Sequence, residues 1–474
     1  MKYHKRNFCV NLYGNVIIRY PDDDQQFKFK NLKACEKLRY VQFFDFESQL
    51  AIGDDDLNLD EKIHIPIAYY QIIIDTETGE IVDENSYVGN NAANDFIKHT
   101  LTVWEKICPR NTYYPIDMTP LTNKKFRESS QCLYCGIKFA NGVIKVRHHL
   151  HSKEKNNFIG ALCSSCNFLI RKQTFLVSVS HNSSYDCSLL IKYASSEYKM
   201  EVLSHKAGLK FYYLKIERKI KIIDSLQFLK SSLQKLVINH LNNNKPLKFT
   251  TEILERQNIK RDSELYGLLT SQKGKFPYDY IDNNLKLKET CLPPKSAFFN
   301  SLRQSNISDA DYCNAQKIFT LSGCKNLSDY MCLYNKLDTL FLADIFLTWR
   351  DFFYSEYYLD ICHYVTLSSF SLDSCLYQQY LLNQNFHISL LNDRYLIDLI
   401  NKNIRGGFCT LLSCEETFYN NFTEIPKNMD NHYQSHCIYV DINALYSKAM
   451  TEKLPISNIC KLDQLELPKI INKK

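Results

Sequence analysis

The sequence predicts a mixed α/β protein, because strand-like and helix-like segments alternate along it without a regular βαβ period. Segments 40–46 and 176–179 are dense in aromatic, aliphatic or β-branched residues, which is typical of strands. Segments 92–107 and 326–353 have the pattern of helices. Other expected elements are a strand at 67–74 that ends in a turn at 75–79, helix-like stretches at 224–237 and 372–382, a strand at 437–441 and a helix from 445.

Length and composition predict a large folded protein. The chain has 474 residues, enough for about three domains, and 45% of them are hydrophobic. The 32 Tyr and 28 Phe residues argue against disorder. The net charge is +6, from 58 basic and 52 acidic residues. This near balance suits a protein with a local basic groove for phosphates, and not one that coats nucleic acid non-specifically.

Cysteine usage predicts a reducing, intracellular compartment. Of the 18 cysteines, 14 are scattered singly, which is not the pattern of a disulfide framework in a chain this long. Residues 1–15 show no signal peptide, and no apolar run reaches the roughly 18–20 residues of a membrane span. We therefore expect no association with a membrane.

Two acidic residues stand on one face of the first predicted strand. Asp45 and Glu47 are two positions apart, so both project from one side while Phe44 and Phe46 project from the other. A charged pair among aromatic residues is costly to bury unless it binds something. Taken alone, the pair is better explained as a solvated acidic strand end. Hydrolysis of phosphodiesters by two metal ions requires several such carboxylates.

Further candidate residues follow later in the chain. The segment 182–186, Asn-Ser-Ser-Tyr-Asp, comes directly after the strand at 176–179 and reads as a plain turn. Tyr334 and Asp338 are four apart in a helical stretch, so they share one face. Alone, each of these is an ordinary feature of a surface or a core.

Taken together and in this order, these residues resemble the three exonuclease motifs of family B DNA polymerases. The motifs are Asp-x-Glu at 45–47, Asn to Asp at 182–186, and Tyr-x-x-x-Asp at 334–338. The resemblance implies a ribonuclease H-like 3′–5′ exonuclease domain. It implies that Tyr334 orients the attacking water and that Asn182 and Tyr185 contact DNA. The residues implied to hold two Mg²⁺ or Mn²⁺ ions are Asp45, Glu47, Asp186 and Asp338.

The connecting segments resemble the protein-primed branch of that family, which serves adenovirus-like viruses, Polinton/Maverick elements and linear plasmids. They are 181–182 (His-Asn), 223–226 (Ile-Asp-Ser-Leu), 273–280 (Lys-Gly-Lys-Phe-Pro-Tyr-Asp-Tyr) and 292–294 (Leu-Pro-Pro). The resemblance implies DNA as partner, as a single-stranded 3′ end and as a primer-template, together with a terminal priming protein. It places the chain in the nucleus for a eukaryotic element, and otherwise in the cytoplasm or with a virus.

A second Asp-x-Glu competes for the role of first motif. Asp75 and Glu77 follow an apolar strand and resemble the first motif of proofreading exonucleases of another superfamily. We favour Asp45 and Glu47, because their neighbours match the family B pattern. Asp75 and Glu77 are then expected in a hairpin turn with Gly79.

Two Cys-x-x-Cys pairs predict a structural zinc site. Cys132, Cys135, Cys163 and Cys166 supply four thiolates, which suit closed tetrahedral coordination of one zinc ion. The alternative interpretation is four unliganded buried cysteines.

The segment between the pairs resembles the zinc-stapled ββα nucleases of the HNH and phage junction-resolving type. His149 matches their general base and Asn167 a residue beside the metal, but His148 stands where they have a catalytic Asp. We therefore expect a structural or DNA-contacting module, with an endonuclease as the alternative.

The C-terminal part resembles the start of a polymerase palm. Gly406 and Gly407 match an element that links exonuclease and palm and contacts DNA. The segment 438–450 resembles palm motif A, with Asp441 as a metal-binding carboxylate and Tyr446 beneath the incoming nucleotide. Motifs B and C do not follow, so we expect the chain alone not to polymerise DNA, and its last 44 residues to be poorly packed or completed by a second chain.

These observations predict an order of domains and leave two other functions open. A nucleic-acid-binding remnant without activity and an endonuclease acting through His149 are the alternatives to the exonuclease. The expected order is an N-terminal extension (1–36), the first exonuclease part (37–127), the zinc module (128–172), the second exonuclease part (173–350), a connection (351–430) and the truncated palm (431–474).

Overall fold

The computed structural model describes residues 26–52, 62–107, 115–134, 136–140, 142–149, 155–169, 175–204, 211–301, 304–382, 387–404, 438, 440 and 442–453. The chain forms two compact units. The larger comprises 29–384, and the smaller combines 1–28 with 385–474.

Eleven strands lie in the described part of the chain. They are β1 (Gln26–Phe27), β2 (Tyr40–Ile52), β3 (Lys62–Asp75), β4 (Glu80–Val88), β5 (Lys145–His149), β6 (Phe158–Cys163), β7 (Leu176–Ser180), β8 (Met200–Ser204), β9 (Phe211–Ile216), β10 (Ile220–Asp224) and β11 (Ile388–Ser389).

Seven of these strands form the central sheet of the larger unit, in the order β4-β3-β2-β7-β10-β9-β8. Strands β4, β3 and β2 run antiparallel to one another. Strands β7 and β10 continue the sheet parallel to β2. The hairpin of β8 and β9 completes it antiparallel to β10. The sheet is therefore mixed, and the predicted mixed α/β class is confirmed.

Twelve α-helices lie in the described part. They are α1 (Ala92–Ile107), α2 (Pro120–Glu128), α3 (Ser164–Leu169), α4 (Ser184–Ala194), α5 (Leu233–Asn242), α6 (Lys248–Arg256), α7 (Glu264–Ser271), α8 (Asp309–Leu321), α9 (Leu327–Tyr357), α10 (Leu367–Leu382), α11 (Arg394–Asn403) and α12 (Leu445–Met450). None of the described helices combines the length and the apolar character that crossing a bilayer requires.

Aromatic residues of β2 anchor one face of the sheet. The rings of Phe44 and Phe46 lie 4.7 and 5.2 Å from the ring of Phe96 on α1, and all three are buried. Because strand positions alternate between faces, the same spacing directs Asp45 and Glu47 to the opposite face. The apolar side of β2 thus fixes where its acidic side points.

Helix α9 covers that opposite face. Asn326 caps it by accepting a hydrogen bond from the backbone of Asp329 at 2.9 Å. The helix packs against β2 and β3, and Phe346 meets Phe43 of β2 edge to face, with the ring centres 5.8 Å apart. This 31-residue helix therefore brings residues far along the sequence onto β2.

A ββα module is inserted between α1 and β7. Strands β5 and β6 form an antiparallel hairpin, with Lys145 opposite Cys163, and α3 follows β6 directly. Helix α2 lies beside the hairpin. The module is joined to the sheet-bearing part by a hydrogen bond from the Tyr380 hydroxyl of α10 to the backbone oxygen of Tyr134.

In the smaller unit, β1 pairs antiparallel with β11, and α11 and α12 lie further along the chain. All described side chains between 438 and 453 are exposed. The predicted strand at 437–441 falls largely outside the described residues, whereas the helix predicted from 445 is present as α12.

Several predicted elements need correction. The segment 182–186 is not only a turn: Asn182 takes a left-handed backbone, with φ 68°, and α4 begins two residues later with Asp186 in its first turn. Asp224 does not open a helix that runs to 237. It caps a short 3₁₀ turn (Ser225–Gln227), and Ser232 provides the cap from which α5 begins. Helix α10 starts at Leu367, five residues before the predicted start.

Candidate functional site

Four of the predicted carboxylates meet on one face of the sheet. Asp45 and Glu47 project from β2, Asp186 from α4 and Asp338 from α9. Glu47, Asp186 and Asp338 are buried, and Asp45 is half-buried. The two neighbouring strands explain the position of Asp186, because β7 runs parallel to β2 and ends where the chain turns into α4.

The carboxylates repel one another, and this is visible in their pKa values. Loss of solvation raises the pKa of Asp45 well above its usual value, and the charges of Asp186, Glu47 and Asp338 raise it further. Burial and the charge of Asp338 raise the pKa of Glu47 to about 8. Burial also raises the pKa of Asp186 to about 7. Burying four acidic groups together costs free energy through lost solvation and mutual repulsion. Such a cluster indicates a site that binds positive charge.

Lys273 supplies one positive charge inside the cluster. Its ammonium group forms an ion pair with Asp338. Its charge also opposes the raised pKa values of Asp45 and Glu47. Lys273 lies in the loop after α7 and was not among the predicted site residues.

Asn335 fixes the two carboxylates of β2 to α9. Its amide nitrogen lies 3.2 Å from the backbone oxygen of Asp45, 3.4 Å from the Oδ2 of Asp45 and 3.5 Å from the Oε1 of Glu47. Asn335 stands one residue after Tyr334 and three before Asp338. This spacing makes Asp338 a neighbour of both Tyr334 and Asn335 on the helix surface.

Tyr334 is buried beside Asp338. Asp338 follows it by one helical turn, and the ring centre of Tyr278 lies 5.8 Å from that of Tyr334. Burial and the Asp338 charge raise the pKa of Tyr334 well above its usual value, so it remains a neutral phenol. The loop after α7 approaches Tyr334 so closely that a Cβ added at Gly274 would lie 3.3 Å from the Tyr334 ring. Glycine at 274 therefore permits the contact of this loop with α9.

Three polar side chains line the rim of the carboxylate cluster. The Tyr185 hydroxyl hydrogen-bonds with Ser48 and lies 2.8 Å from Nδ1 of His64. A β-bulge between Glu47 and Ser48 shifts the register of β2 at this point. Tyr185 is 36% exposed, so its ring can be reached from outside. Ser48 and His64 were not predicted.

Asn182 contributes through its backbone. Its N–H donates to the Asp224 carboxylate at 2.8 Å, which ties the end of β7 to the end of β10. The left-handed backbone of Asn182 directs the chain into α4 and hence sets the position of Asp186.

The competing pair, Asp75 and Glu77, lies at the end of β3 and in the turn that follows, beside the start of β2. Asp75 pairs in register with Tyr40, whereas Asp45 pairs with Tyr70. Arg39 lies 2.8 Å from Asp75 and 3.5 Å from Glu77, so their charges are compensated within the hairpin turn. The predicted turn with Gly79 is present, with φ 74° at that glycine.

The ββα module brings three cysteine sulfurs together. Cys132, Cys163 and Cys166 are buried, and their sulfurs all lie within 4.8 Å of one another. In the described part of the chain this is the one group of possible metal ligands that meets this distance; the carboxylates around Asp45 do not. The fourth predicted ligand, Cys135, lies outside the described residues. Three thiols at this spacing fit a zinc ion.

His148 and Asn167 interact with each other in this module. His148 is buried, with Nδ1 2.9 Å from Oδ1 of Asn167 and Nε2 2.8 Å from Oε1 of Glu36. Asn167 was predicted to lie beside the metal. In the structure its side chain contacts His148. His149 is half-buried on the other side of β5.

Comparison with protein families identifies the chain. The sequence profile of DNA polymerase type B, organellar and viral, matches residues 165–472, about two thirds of the chain. This chain belongs to that family. Searches of the curated proteins and of the solved structures found no significant match.

The part of this type B polymerase chain that matches contains Asp186, Tyr334 and Asp338, while Asp45 and Glu47 precede it. It also contains the predicted palm residues. Gly406, Gly407 and Asp441 lie outside the described residues. Tyr446 lies on α12 and is 81% exposed.

Proposed function

We propose that this type B DNA polymerase chain hydrolyses DNA from the 3′ end at the cluster of Asp45, Glu47, Asp186 and Asp338. The observation that carries the proposal is the convergence of carboxylates from β2, α4 and α9 around a single lysine. Asp338 follows Asp45 by almost 300 positions in the sequence, yet its charge raises the pKa values of Asp45 and Glu47. An acidic cluster with so large a burial cost is retained most readily where it serves a function.

The donor set fits divalent cations. Oxygen ligands from carboxylates are those that Mg²⁺ and Mn²⁺ prefer. Oδ1 of Asp338 is buried and has no hydrogen-bond partner among the described residues, which leaves it available as a ligand. Asp45, Glu47, Asp186 and Asp338 would hold the ions. When bound, such ions lower the pKa of a water molecule and stabilise the leaving oxygen of a phosphodiester.

The chain's own residues have distinct tasks in this proposal. Asn335 holds Asp45 and Glu47 in place through its amide nitrogen. Tyr334 keeps a neutral hydroxyl beside Asp338, where it can position a water molecule by accepting or donating a hydrogen bond. Lys273 offsets part of the negative charge that the cluster and a DNA phosphate would otherwise accumulate. Tyr185 offers an exposed aromatic face on which a base at the 3′ end can stack.

The topology of the sheet supports a ribonuclease H-like domain. Three antiparallel strands, β4, β3 and β2, are continued by the parallel strands β7 and β10. This is the order expected of that fold, with the first acidic motif on its central strand.

Membership in the family implies template-directed nucleotidyl transfer in DNA replication. We propose Asp441 and Tyr446 as the metal-binding and nucleotide-binding residues for that reaction, by their match to palm motif A. Protein priming, and with it a terminal priming protein as partner, rests on the resemblance of segments such as 273–280.

The zinc module has a structural role in this proposal. Cys132, Cys163 and Cys166 would hold the ion together with Cys135. His148 is engaged by Glu36 and Asn167, so it does not replace the carboxylate that an HNH nuclease requires. We therefore expect no nicking of circular DNA, which an endonuclease acting through His149 would produce.

The experiment that tests the site compares the two Asp-x-Glu pairs. With single-stranded DNA and Mg²⁺ or Mn²⁺, Asp45→Ala should lose hydrolysis, by on the order of 10³-fold or more, because it removes a metal ligand. Asp75→Ala serves as the matched control and should keep it. The reverse pattern would move the site to the hairpin turn at 75–79.

A further inference from the structure

The net charge of the chain is concentrated in the ββα module. Residues 120–149 contain six basic residues against one acidic residue, Glu128, an excess of five positive charges. The whole chain has an excess of six. The basic residues are Lys124, Lys125, Arg127, Lys138, Lys145 and Arg147. A local excess of this size on a nearly balanced chain indicates an anionic partner.

Strand β5 separates a buried side of the module from a basic side. His148 is buried and contacts Glu36, which lies before β2 and outside the module. Lys145 and Arg147 lie at alternate positions and therefore project from the other side of the strand. There the Arg147 guanidinium lies 4.5 Å and the Lys145 ammonium 4.7 Å from the ring centre of Phe126 on α2.

Helix α2 and β5 form one continuous surface. The Lys145 ammonium donates to the backbone oxygens of Ser129 at 2.6 Å and Arg127 at 3.2 Å, which fixes the end of α2 to the strand. No residue of α2 is buried, and its cations Lys124, Lys125 and Arg127 are exposed. We define the basic face as Lys124, Lys125, Phe126, Arg127, Lys145 and Arg147.

Most charges of the basic face have no acidic partner. Lys124 alone lies near a carboxylate, that of Glu128 at 3.8 Å, and both side chains are exposed. Within the described residues no carboxylate lies within 4.0 Å of Lys125, Arg127 or Arg147. A guanidinium stacked on an aromatic ring keeps its N–H groups directed outward along its edge, where they can donate two hydrogen bonds to one phosphate.

We propose that the basic face binds the phosphate backbone of DNA, as a second contact in addition to the carboxylate cluster. DNA is the polyanion on which this polymerase family acts. The face offers cations and a stacked guanidinium but no side chain arranged to read a base, so binding is independent of sequence and sensitive to salt. The zinc module thereby acts as a clamp on DNA and not only as a structural insertion.

Binding is tested in an Asp45→Ala/Glu47→Ala background, which leaves labelled DNA intact. Lys125→Ala/Arg127→Ala/Arg147→Ala is compared with Lys245→Ala/Lys260→Ala/Lys288→Ala, which removes three exposed, unpaired lysines outside the module. The basic-face variant should bind duplex and single-stranded DNA at least about tenfold more weakly near 0.1 M salt. Its slope of log K against log salt should be shallower by about two to three, whereas the control should change neither.

A second variant guards against damage to the module. Lys125→Glu/Arg127→Glu leaves the Arg147–Phe126 stack in place, and it should weaken binding at least as strongly while keeping about one zinc ion per chain. Equal affinity of both variants and the control would overturn the proposal. The proposal would also be overturned if the basic-face variants bound DNA as well as the control does and lost only binding to phosphatidylserine vesicles. Because binding is measured without hydrolysis, these results are independent of whether the carboxylate cluster is an exonuclease.

Discussion

At the scale of single residues, the charge of Lys273 balances part of a strongly acidic site. Its ammonium pairs with Asp338 and lowers the pKa values of Asp45 and Glu47 from what burial alone would produce. Without it, the mutual repulsion of the four carboxylates would be stronger.

Replacing Lys273 should therefore change both hydrolysis and metal binding. Lys273→Ala should slow hydrolysis roughly 10²-fold, because the positive charge that offsets the phosphate is lost. The Mg²⁺ concentration for half-maximal activity should fall, since the cluster becomes more negative. Steady-state assays over a Mg²⁺ series measure both. Lys275→Ala is the control, because Lys275 lies 3.8 Å from Asp311 and outside the cluster. A rise in the Mg²⁺ requirement would contradict this role.

Glu47 should destabilise the protein at high pH when Mg²⁺ is not added. Its pKa is raised from 4.5 to about 8, so the folded state binds its proton more tightly than the unfolded state. The contribution of Glu47 to the free energy of unfolding is therefore fully present below about pH 4.5 and is lost as pH rises toward 8. Glu47→Gln should be more stable than wild type at pH 8 by more than about 1 kcal/mol, and the difference should vanish near pH 4.5.

Urea unfolding at the two pH values, with zinc retained and Mg²⁺ absent, measures this difference. Asp262→Asn, at an exposed residue between α6 and α7, offers a control outside the cluster. Glu47→Gln less stable than wild type at pH 8 would show that the carboxylates do not repel one another as the geometry indicates.

At the scale of elements, a buried ion pair holds the end of α9 to the start of β2. Arg350 and Asp360 are both fully buried, with Nε of Arg350 2.8 Å from Oδ1 of Asp360. Arg350 also donates to the backbone oxygen of Leu38 at 2.5 Å, and the Leu38 N–H donates to Asp360 at 2.8 Å. Since β2 carries Asp45 and α9 carries Asp338, this contact fixes the two elements that form the site.

Breaking the pair from one side should be costly. Asp360→Asn leaves the Arg350 charge buried and should lower the free energy of unfolding by about 3–5 kcal/mol. The pKa of Asp360 is depressed, so its contribution is present above pH 4 and is lost as pH falls further. Denaturant unfolding at pH 7 measures the loss. Arg350→Met/Asp360→Leu should be less destabilised than the single variant. A loss below about 1 kcal/mol for Asp360→Asn would contradict the clamp.

The sequence predicted some of these elements well and others only in part. Helix α1 was predicted with its observed bounds, because its buried positions recur at helical spacing. Asp45 and Glu47 could be placed on one face because strand geometry alternates. The start of α4 could not be located, because Asn-Ser-Ser is equally suited to a turn and to a helix start. Only the left-handed backbone of Asn182 decides between them.

At the scale of the whole molecule, the site depends on contacts that sequence patterns do not encode. Lys273 lies 65 residues before its partner Asp338, and nothing in its neighbourhood reveals a charge on the other side of the fold. Asn335 could have been suspected, because it shares a helix face with Tyr334 and Asp338. Ser48 and His64 reach the rim only through the β-bulge and the β2–β3 pairing. Long-range packing therefore decides the surroundings of a site whose acidic residues local motifs indicate.

The most direct test of the exonuclease is the product pattern from a 5′-labelled single-stranded oligonucleotide with Mg²⁺ or Mn²⁺. Wild-type protein should give a ladder that shortens from the 3′ end, and the zinc-loaded, folded Asp45→Ala/Glu47→Ala variant should leave the oligonucleotide intact. No degradation by folded wild-type protein, or an unchanged ladder from the variant, would contradict the assignment of hydrolysis to the carboxylate cluster.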